Sequence, residues 1–229
     1  MKHTFYAIIV AGGSGKRINS LLPKQFLPIA GRPILMHTIE KFHKSNYQPK
    51  IILVLSAKDL NIWKQKIEEF DFKVPHSVVT GGKERFFSVK NGLETITAKN
   101  AIIAIHDAVR PLVSLNTINN CYKSAIAKGN AIASISSRDS IRVADTEKNI
   151  AIPRTKVYLV QTPQTFSYKQ LEIAYKQEFS NDFTDDASVV EKAGFNIFLE
   201  EGDQFNMKIT YEEDLILAEA LIKNQFKSS

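Results

Sequence analysis

The sequence predicts a single α/β domain: a mostly parallel central sheet flanked by helices, with a β-arm protruding from it. Three observations carry this expectation. Short apolar runs alternate with amphipathic segments along most of the 229 residues, the pattern of strand–helix–strand crossovers. A hydrophobic content of 44% supports one substantial core. No linker, repeat or low-complexity stretch divides the chain, so residues 1–229 are read as one domain.

The elements follow in order. The apolar run 6–10 is a buried strand, cut off by the glycine-rich turn that follows it. Pro33 suits a helix's first turn, and Ile34, Leu35, His37, Thr38, Ile39 and Phe42 keep helical spacing, which predicts a helix over 33–45. A strand is expected at 51–55, a helix at 60–70 with Trp63 in the core, and a strand at 77–80 ending in Gly81-Gly82. Residues 85–96 read as a helix and 101–106 as a strand. Residues 115–128 read as a helix closed by Gly129, and 131–136 as a strand. The pattern then breaks. From 138 to 160 the apolar residues alternate (Ile141, Val143; Ile150, Ile152; Val157, Leu159) around the polar turn 145–149, which predicts a hairpin arm leaving the sheet. Helices at 168–179 and 185–193, a strand at 196–200 and a helix at 212–226 complete the chain.

The chemistry gathers where strands end. After the first strand come Gly12, Gly13 and Gly15, which let backbone N–H groups approach a ligand. Lys16, Arg17 and Lys24 then supply the positive charge that a polyphosphate requires. This is not a Walker A loop, because Val10 and Arg17 occupy the positions of its first Gly and its Ser/Thr. It is not the dinucleotide fingerprint either, because Ile18 stands at the third glycine. Later strands end in Gly81-Gly82-Lys83-Glu84-Arg85 and in His106-Asp107-Ala108-Val109-Arg110-Pro111. In an open α/β sheet, ligands bind beyond the carboxyl ends of the strands.

A net charge of +6 and a pI near 9.2 suit anionic partners. The lysines are dispersed and form no basic patch interleaved with aromatics, so phosphates are favoured over nucleic acid. One cysteine, Cys121, leaves no intramolecular disulfide and no thiolate zinc site, and its helical apolar setting reads as buried and inert. No apolar run approaches the roughly 20 residues of a membrane span, and 1–5 show no signal-peptide pattern. The expectation is a soluble, cytoplasmic protein.

Ala11-Gly12-Gly13-x-Gly15-x-Arg17 with Pro23-Lys24-Gln25 resembles the nucleotidyltransferases that activate sugar phosphates. The stretches Gly81-Gly82-x-x-Arg85-x-x-Ser88-Val89 and His106-Asp107-Ala108-x-Arg110-Pro111 narrow the resemblance to cytidylyltransferases. Gln161-Thr162-Pro163-Gln164, Thr184-Asp185-Asp186-Ala187-Ser188 and Asn206-Met207-Lys208-Ile209-Thr210 complete a pattern similar to the 2-C-methyl-D-erythritol 4-phosphate cytidylyltransferases of the non-mevalonate isoprenoid pathway.

The resemblance implies a Rossmann-like domain that binds CTP and the polyol phosphate. It implies that Arg17, Lys24 and Lys208 stabilise the reacting phosphates, with Lys16 beside them, and that Ala11, Gly12, Gly13, Gly15, Gly82, Arg85 and Ser88 hold the nucleotide. A side chain at Gly82 is expected to fill the base's space. Asp107 matches the contact to the acceptor's hydroxyls, and Arg110, Ser140 and Arg154 match its phosphate contacts. Thr162 and Thr184 shape the acceptor pocket. It further implies Mg²⁺ or another divalent cation and a homodimer whose arms reach across. Asp107 is the one placed candidate ligand for the metal, and Asp185-Asp186 reads as a helix N-terminal acid pair rather than a metal pair. The nearest alternative acceptor is ribitol 5-phosphate, and a remoter alternative is a nucleotide-binding protein without catalysis. Residues 184–188 favour the erythritol acceptor, and the presence of Arg17, Lys24 and Lys208 favours an enzyme.

Overall fold

The computed structural model describes residues 3–11, 20 and 22–227, with the side chains of 225–227 outside the description. The chain runs β1 (Thr4–Ala11), β2 (Pro28–Ile29), β3 (Arg32–Pro33), α1 (Ile34–His43), β4 (Lys50–Leu55), α2 (Leu60–Glu69), β5 (Ser77–Thr80) and α3 (Arg85–Glu94). There follow β6 (Ala101–Asp107), α4 (Leu115–Lys128), β7 (Asn130–Ser136), β8 (Ile141–Ala144), β9 (Asn149–Ile152) and β10 (Tyr158–Ser167). The chain ends with α5 (Tyr168–Ala174), α6 (Asp186–Lys192), β11 (Leu199–Glu201) and α7 (Glu212–Lys227).

Seven strands form the main sheet in the order β11-β7-β10-β6-β1-β4-β5. Pairs β6–β1, β1–β4, β4–β5 and β11–β7 are parallel, and β10 alone runs antiparallel to both its neighbours. Side-chain alternation sorts each strand between two cores. Ala7, Ile9, Leu53, Leu55, Ile102 and Ala104 face α1, α2 and α4, whereas Ile8, Ile52, Val54, Ile103 and Ile105 face α3, α5 and α6. The strands are apolar on both faces because helices cover both, as a parallel sheet demands. Cys121 and Trp63 are buried in the first core, as expected. No helix among the described residues is long and apolar enough to cross a membrane.

The structure departs from the sequence expectation at several element ends, most of them fixed by side-chain hydrogen bonds from distant segments. Pro33 is the N-cap of α1 rather than part of its first turn. The arm is the small hairpin β8–β9, and the chain rejoins the main sheet at Tyr158, before the expected end of the excursion. Strand β10 carries the polar stretch Gln161–Gln164, whose proline reads as a breaker. A register irregularity between Val160 and Gln164 accommodates Pro163, and the buried Gln161, Thr162 and Gln164 each find a hydrogen-bond partner. Helix α5 stops at Ala174 instead of 179. Gln177 caps it by donating to the carbonyls of Ala174 and Val189, both at 2.9 Å. Strand β11 begins at Leu199 because Asn130 takes up the backbone just before it, donating to Asn196 O at 2.8 Å and accepting from Phe198 N at 2.9 Å.

One packing contact bears on the site. Lys24, Gln25 and Phe26 form a single 3-10 turn. Phe26 stacks on Trp63 with centroids 6.3 Å apart, and Trp63 meets Phe72 edge-on at 5.7 Å. Trp63→Ala is expected to cost about 3–5 kcal/mol of stability and to loosen the turn that bears Lys24. Denaturant unfolding measures the first effect, and a loss below about 1 kcal/mol would contradict this packing.

Candidate active site

The carboxyl ends of β1, β4, β5 and β6 share one rim of the sheet. Ala11, Lys24, Gly82, Arg85, Asp107 and Lys208 all border one cleft there, of about 370 Å³. Gly12, Gly13, Gly15, Lys16 and Arg17 lie outside the described residues.

Each cleft residue is held by something identifiable. Gln25 donates to Ala11 O at 3.2 Å and to Asp59 Oδ2 at 2.9 Å, which ties the Lys24 turn to the end of β1. Ser88, in the first turns of α3, accepts from Gly82 N–H at 3.1 Å and donates to Glu84 O at 3.2 Å. It therefore fixes the Gly81–Gly82 turn from beneath. A Cβ at Gly82 would lie 2.3 Å from Phe87 Cβ. This corrects the expectation for Gly82: a side chain there first collides with α3 and displaces the turn, rather than simply filling the space of a base.

Asp107 is the centre of the charge arrangement. Lys208 Nζ lies 3.1 Å and Arg110 Nε 3.3 Å from its Oδ2, and Arg85 Nη2 lies 3.6 Å from its Oδ1. Burial alone would raise its carboxyl, but Arg85, Lys208 and Arg110 outweigh burial and hold it well below the usual carboxylate range. Arg85, half-buried at the cleft wall, stays charged because Asp186 and Asp107 offset its desolvation. Asp185 is the N-cap of α6 in a capping box with Ser188, and Asp186 is buried against Arg85. The acid pair thus sits at the helix N-terminus, as expected, with Asp185 capping α6 and Asp186 paired with Arg85.

Behind Asp107 sits His106, fully buried against Phe42. The Asp107 N–H donates to Thr162 Oγ1 at 3.1 Å, and that hydroxyl lies 3.0 Å from His106 Nδ1. Arg110 O can only accept, so Nε2 carries the proton of a neutral imidazole and donates to it at 3.2 Å, which leaves Nδ1 to accept from the Thr162 hydroxyl. Burial lowers the His106 pKa to about 3. Thr162 thus shapes the pocket by holding the end of β6, from a buried position.

Other expected residues lie apart. Ser140 and Arg154 are exposed on the arm and do not border the cleft, Arg154 donating to Arg138 O at 2.9 Å. Thr184 is exposed just before the α6 cap. Arg110 turns inward and donates to Asn206 O at 2.7 Å. Gln161, Gln164 and Asn206 were given no role by sequence, although each sits in a stretch that carried the resemblance. Asn206 donates to Thr162 O at 2.7 Å and Gln161 donates to Asp203 O at 2.8 Å. They fix the segment that presents Lys208.

No cluster of three or more His, Cys, Asp or Glu among the described residues is arranged to hold a metal. Asp107, the expected candidate, already faces three cations, a poor donor for a further one.

The match to known proteins is continuous over this whole arrangement. The family model of 2-C-methyl-D-erythritol 4-phosphate cytidylyltransferase matches residues 5–224. The chain belongs to this family. A cytidylyltransferase of that name from Bacteroides thetaiotaomicron is 46% identical over 215 residues, covering 94% of this chain and 98% of its own. One from Porphyromonas gingivalis is 42% identical, covering 97% and 99%. The crystal structure of 4-diphosphocytidyl-2C-methyl-D-erythritol synthase from Anaerococcus prevotii superposes with a TM-score of 0.82 at 27% identity, covering 96% of each chain. The α/β fold with a mostly parallel sheet is that of the family, and this member is a nucleotidyltransferase.

The buried His106 gives this cytidylyltransferase a defined acid sensitivity. Its folded pKa lies below its unfolded value of about 6.5, so the unfolded chain binds the extra proton and stability falls as pH drops from about 6.5 toward 3. His37, lowered chiefly by burial, acts in the same direction. His106→Gln is expected to flatten the stability–pH slope between pH 6 and 4 by about 1.4 kcal/mol per pH unit, one proton's worth. Urea unfolding at several pH values reads this slope, and an unchanged slope would contradict the assignment.

Proposed function

We infer that the cleft is where this enzyme transfers a cytidylyl group from CTP to 2-C-methyl-D-erythritol 4-phosphate, giving 4-diphosphocytidyl-2-C-methyl-D-erythritol and pyrophosphate. The observation that carries this placement is the meeting of Lys24, Arg85 and Lys208 with the Ser88-braced Gly81–Gly82 turn in one cleft. An acceptor phosphate oxygen attacks the α-phosphorus and pyrophosphate leaves. Both reactants are anions, so cations must screen them as they approach, and positioning with electrostatic stabilisation supplies most of the catalysis.

Lys24 and Arg17 steady the reacting and departing phosphates, with Lys16 beside them, and Lys208 orients the attacking group. Ala11, Gly12, Gly13, Gly15, Gly82, Arg85 and Ser88 hold the nucleotide, largely through backbone groups. Asp107 accepts from the acceptor's hydroxyls. Mg²⁺ or another divalent cation, arriving with CTP, would screen the charge of the triphosphate.

The arm points to a homodimer. Val143 and Ile150 are 51% and 64% exposed, and Tyr158, Leu159 and Val160 extend the apolar surface. An isolated two-stranded hairpin is marginal in water, so a second copy across a two-fold axis supplies the missing burial. Ser140 and Arg154 of one chain then bind acceptor phosphate in the other's cleft, which accounts for their distance from their own. The protein acts in the cytoplasm.

Lys24→Ala and Arg17→Ala are expected to keep the fold and lose about 10²–10³ in turnover, the usual cost of one transition-state charge contact. Pyrophosphate release with CTP and Mg²⁺ measures this. Run with methylerythritol 4-phosphate against ribitol 5-phosphate, the same assay is expected to favour the first; preference for ribitol would overturn the acceptor assignment. Mixing Lys24→Ala with Arg154→Ala chains under proven subunit exchange is expected to restore part of the activity. A monomer in sedimentation, or no rescue, would contradict the shared site.

A further inference from the structure

Arg85 stands between two carboxylates that hold it unequally. Its Nη1 donates to Asp186 Oδ1 at 2.7 Å, and its Nη2 lies 2.7 Å from Asp186 Oδ2 as an ion pair, that buried oxygen accepting no hydrogen bond. The same Nη2 lies 3.6 Å from Asp107 Oδ1, near enough for attraction but beyond hydrogen-bond reach. The other oxygen, Oδ2, is engaged by Arg110 and Lys208. Among the contacts of the described residues, Oδ1 is therefore the oxygen of Asp107 left to accept from a ligand.

Asp186 is placed to keep this inequality. It is fully buried at the first residue of α6, and the Tyr175 hydroxyl donates to its Oδ1 at 2.6 Å. Gln164 brackets it, donating to Asp185 Oδ2 and accepting from Ala187 N–H, both at 2.8 Å. With the start of α6 pinned to β10, Asp186 cannot follow Arg85 toward the cleft. Neither Asp186 nor Tyr175 borders the cleft, so any effect on a ligand passes through Arg85.

We propose that Asp186 is a positioning residue for the acceptor site: by holding Arg85 out of hydrogen-bond reach of Asp107, it keeps Asp107 Oδ1 available to a hydroxyl of the polyol phosphate. The proposal rests on the assignment of Asp107 to the acceptor's hydroxyls. Without Asp186, the half-buried guanidinium loses its counter-charge and closes on the nearest carboxylate, which is Asp107. The acceptor's hydroxyl then competes with an arginine for one oxygen.

Steady-state kinetics with CTP and methylerythritol 4-phosphate varied separately test this. Asp186→Asn is expected to raise the acceptor KM roughly tenfold, the effect of losing one hydrogen bond to a charged group, and to raise the CTP KM by clearly less, through the smaller part Arg85 has in holding the nucleotide. Adding Arg85→Gln removes the intruding cation, so at saturating CTP the double variant is expected to recover acceptor KM while its CTP KM rises with the lost nucleotide contact; a merely structural defect would deepen the acceptor KM instead. Tyr175→Phe keeps the ring stacked on Phe86, 4.8 Å between centroids, and loosens only the hydroxyl contact. It is expected to raise acceptor KM about threefold, and it decides the matter if Asp186→Asn does not fold. An unchanged acceptor KM, an equal rise in both KM values, or no recovery in the double variant would overturn the proposal. Asp107→Asn separates the two levels. If it leaves acceptor KM unchanged, the assignment of Asp107 falls and the proposal with it. If it raises acceptor KM while Asp186→Asn does not, only the positioning role falls.

Discussion

A carboxylate at the end of a buried strand, facing three cations, is the interaction on which this site depends. Asp107 closes β6 beside the centre of the sheet, and Arg85, Arg110 and Lys208 reach it from three separate segments. Desolvating one charge is costly, and the cost is offset only when opposite charges and hydrogen bonds arrive together. The start of α3, the turn after β6 and the segment carrying Lys208 must therefore all be in place for any of them to be. The backbone joins in, since Ile209 N–H donates to Val109 O at 2.9 Å.

The same arrangement explains how a strongly cationic cleft persists before substrate arrives. Arg85 is matched by Asp186, and Asp107 answers for Arg110 and Lys208. Lys208, 48% exposed, is the partner with the most freedom to turn from Asp107 toward an incoming phosphate. Such an exchange costs little, because one charge-assisted contact replaces another. The neutral His106–Thr162 pair holds the strand end still without adding charge.

Periodicity made the parallel half of the sheet legible: the strand at 77–80 and the helix at 115–128 fall where the pattern places them. Gly129 closes that helix in a left-handed conformation, φ +92°. Strand β10 was not legible, because Gln161-Thr162-Pro163-Gln164 has the composition of a turn. Its polar side chains are buried only because α6 and the 203–206 segment bring partners from far along the chain. The cleft's composition could be read from glycines and cations at strand ends. The direction of a Cβ at Gly82, the burial of Thr162 and the Asp186–Arg85 pair depend on how α3, β10 and α6 pack, which no local pattern encodes.

The central claim is that Asp107 stays ionised under its three cations and meets the acceptor. Carbon-13 NMR of selectively labelled aspartate, assigned with Asp107→Asn, tests it directly. The Asp107 carboxyl signal is expected to remain that of a carboxylate from pH 7 down to pH 4 and to shift when methylerythritol 4-phosphate is added. A titration midpoint near the ordinary aspartate value of about 3.9, or a signal indifferent to the acceptor, would contradict the account.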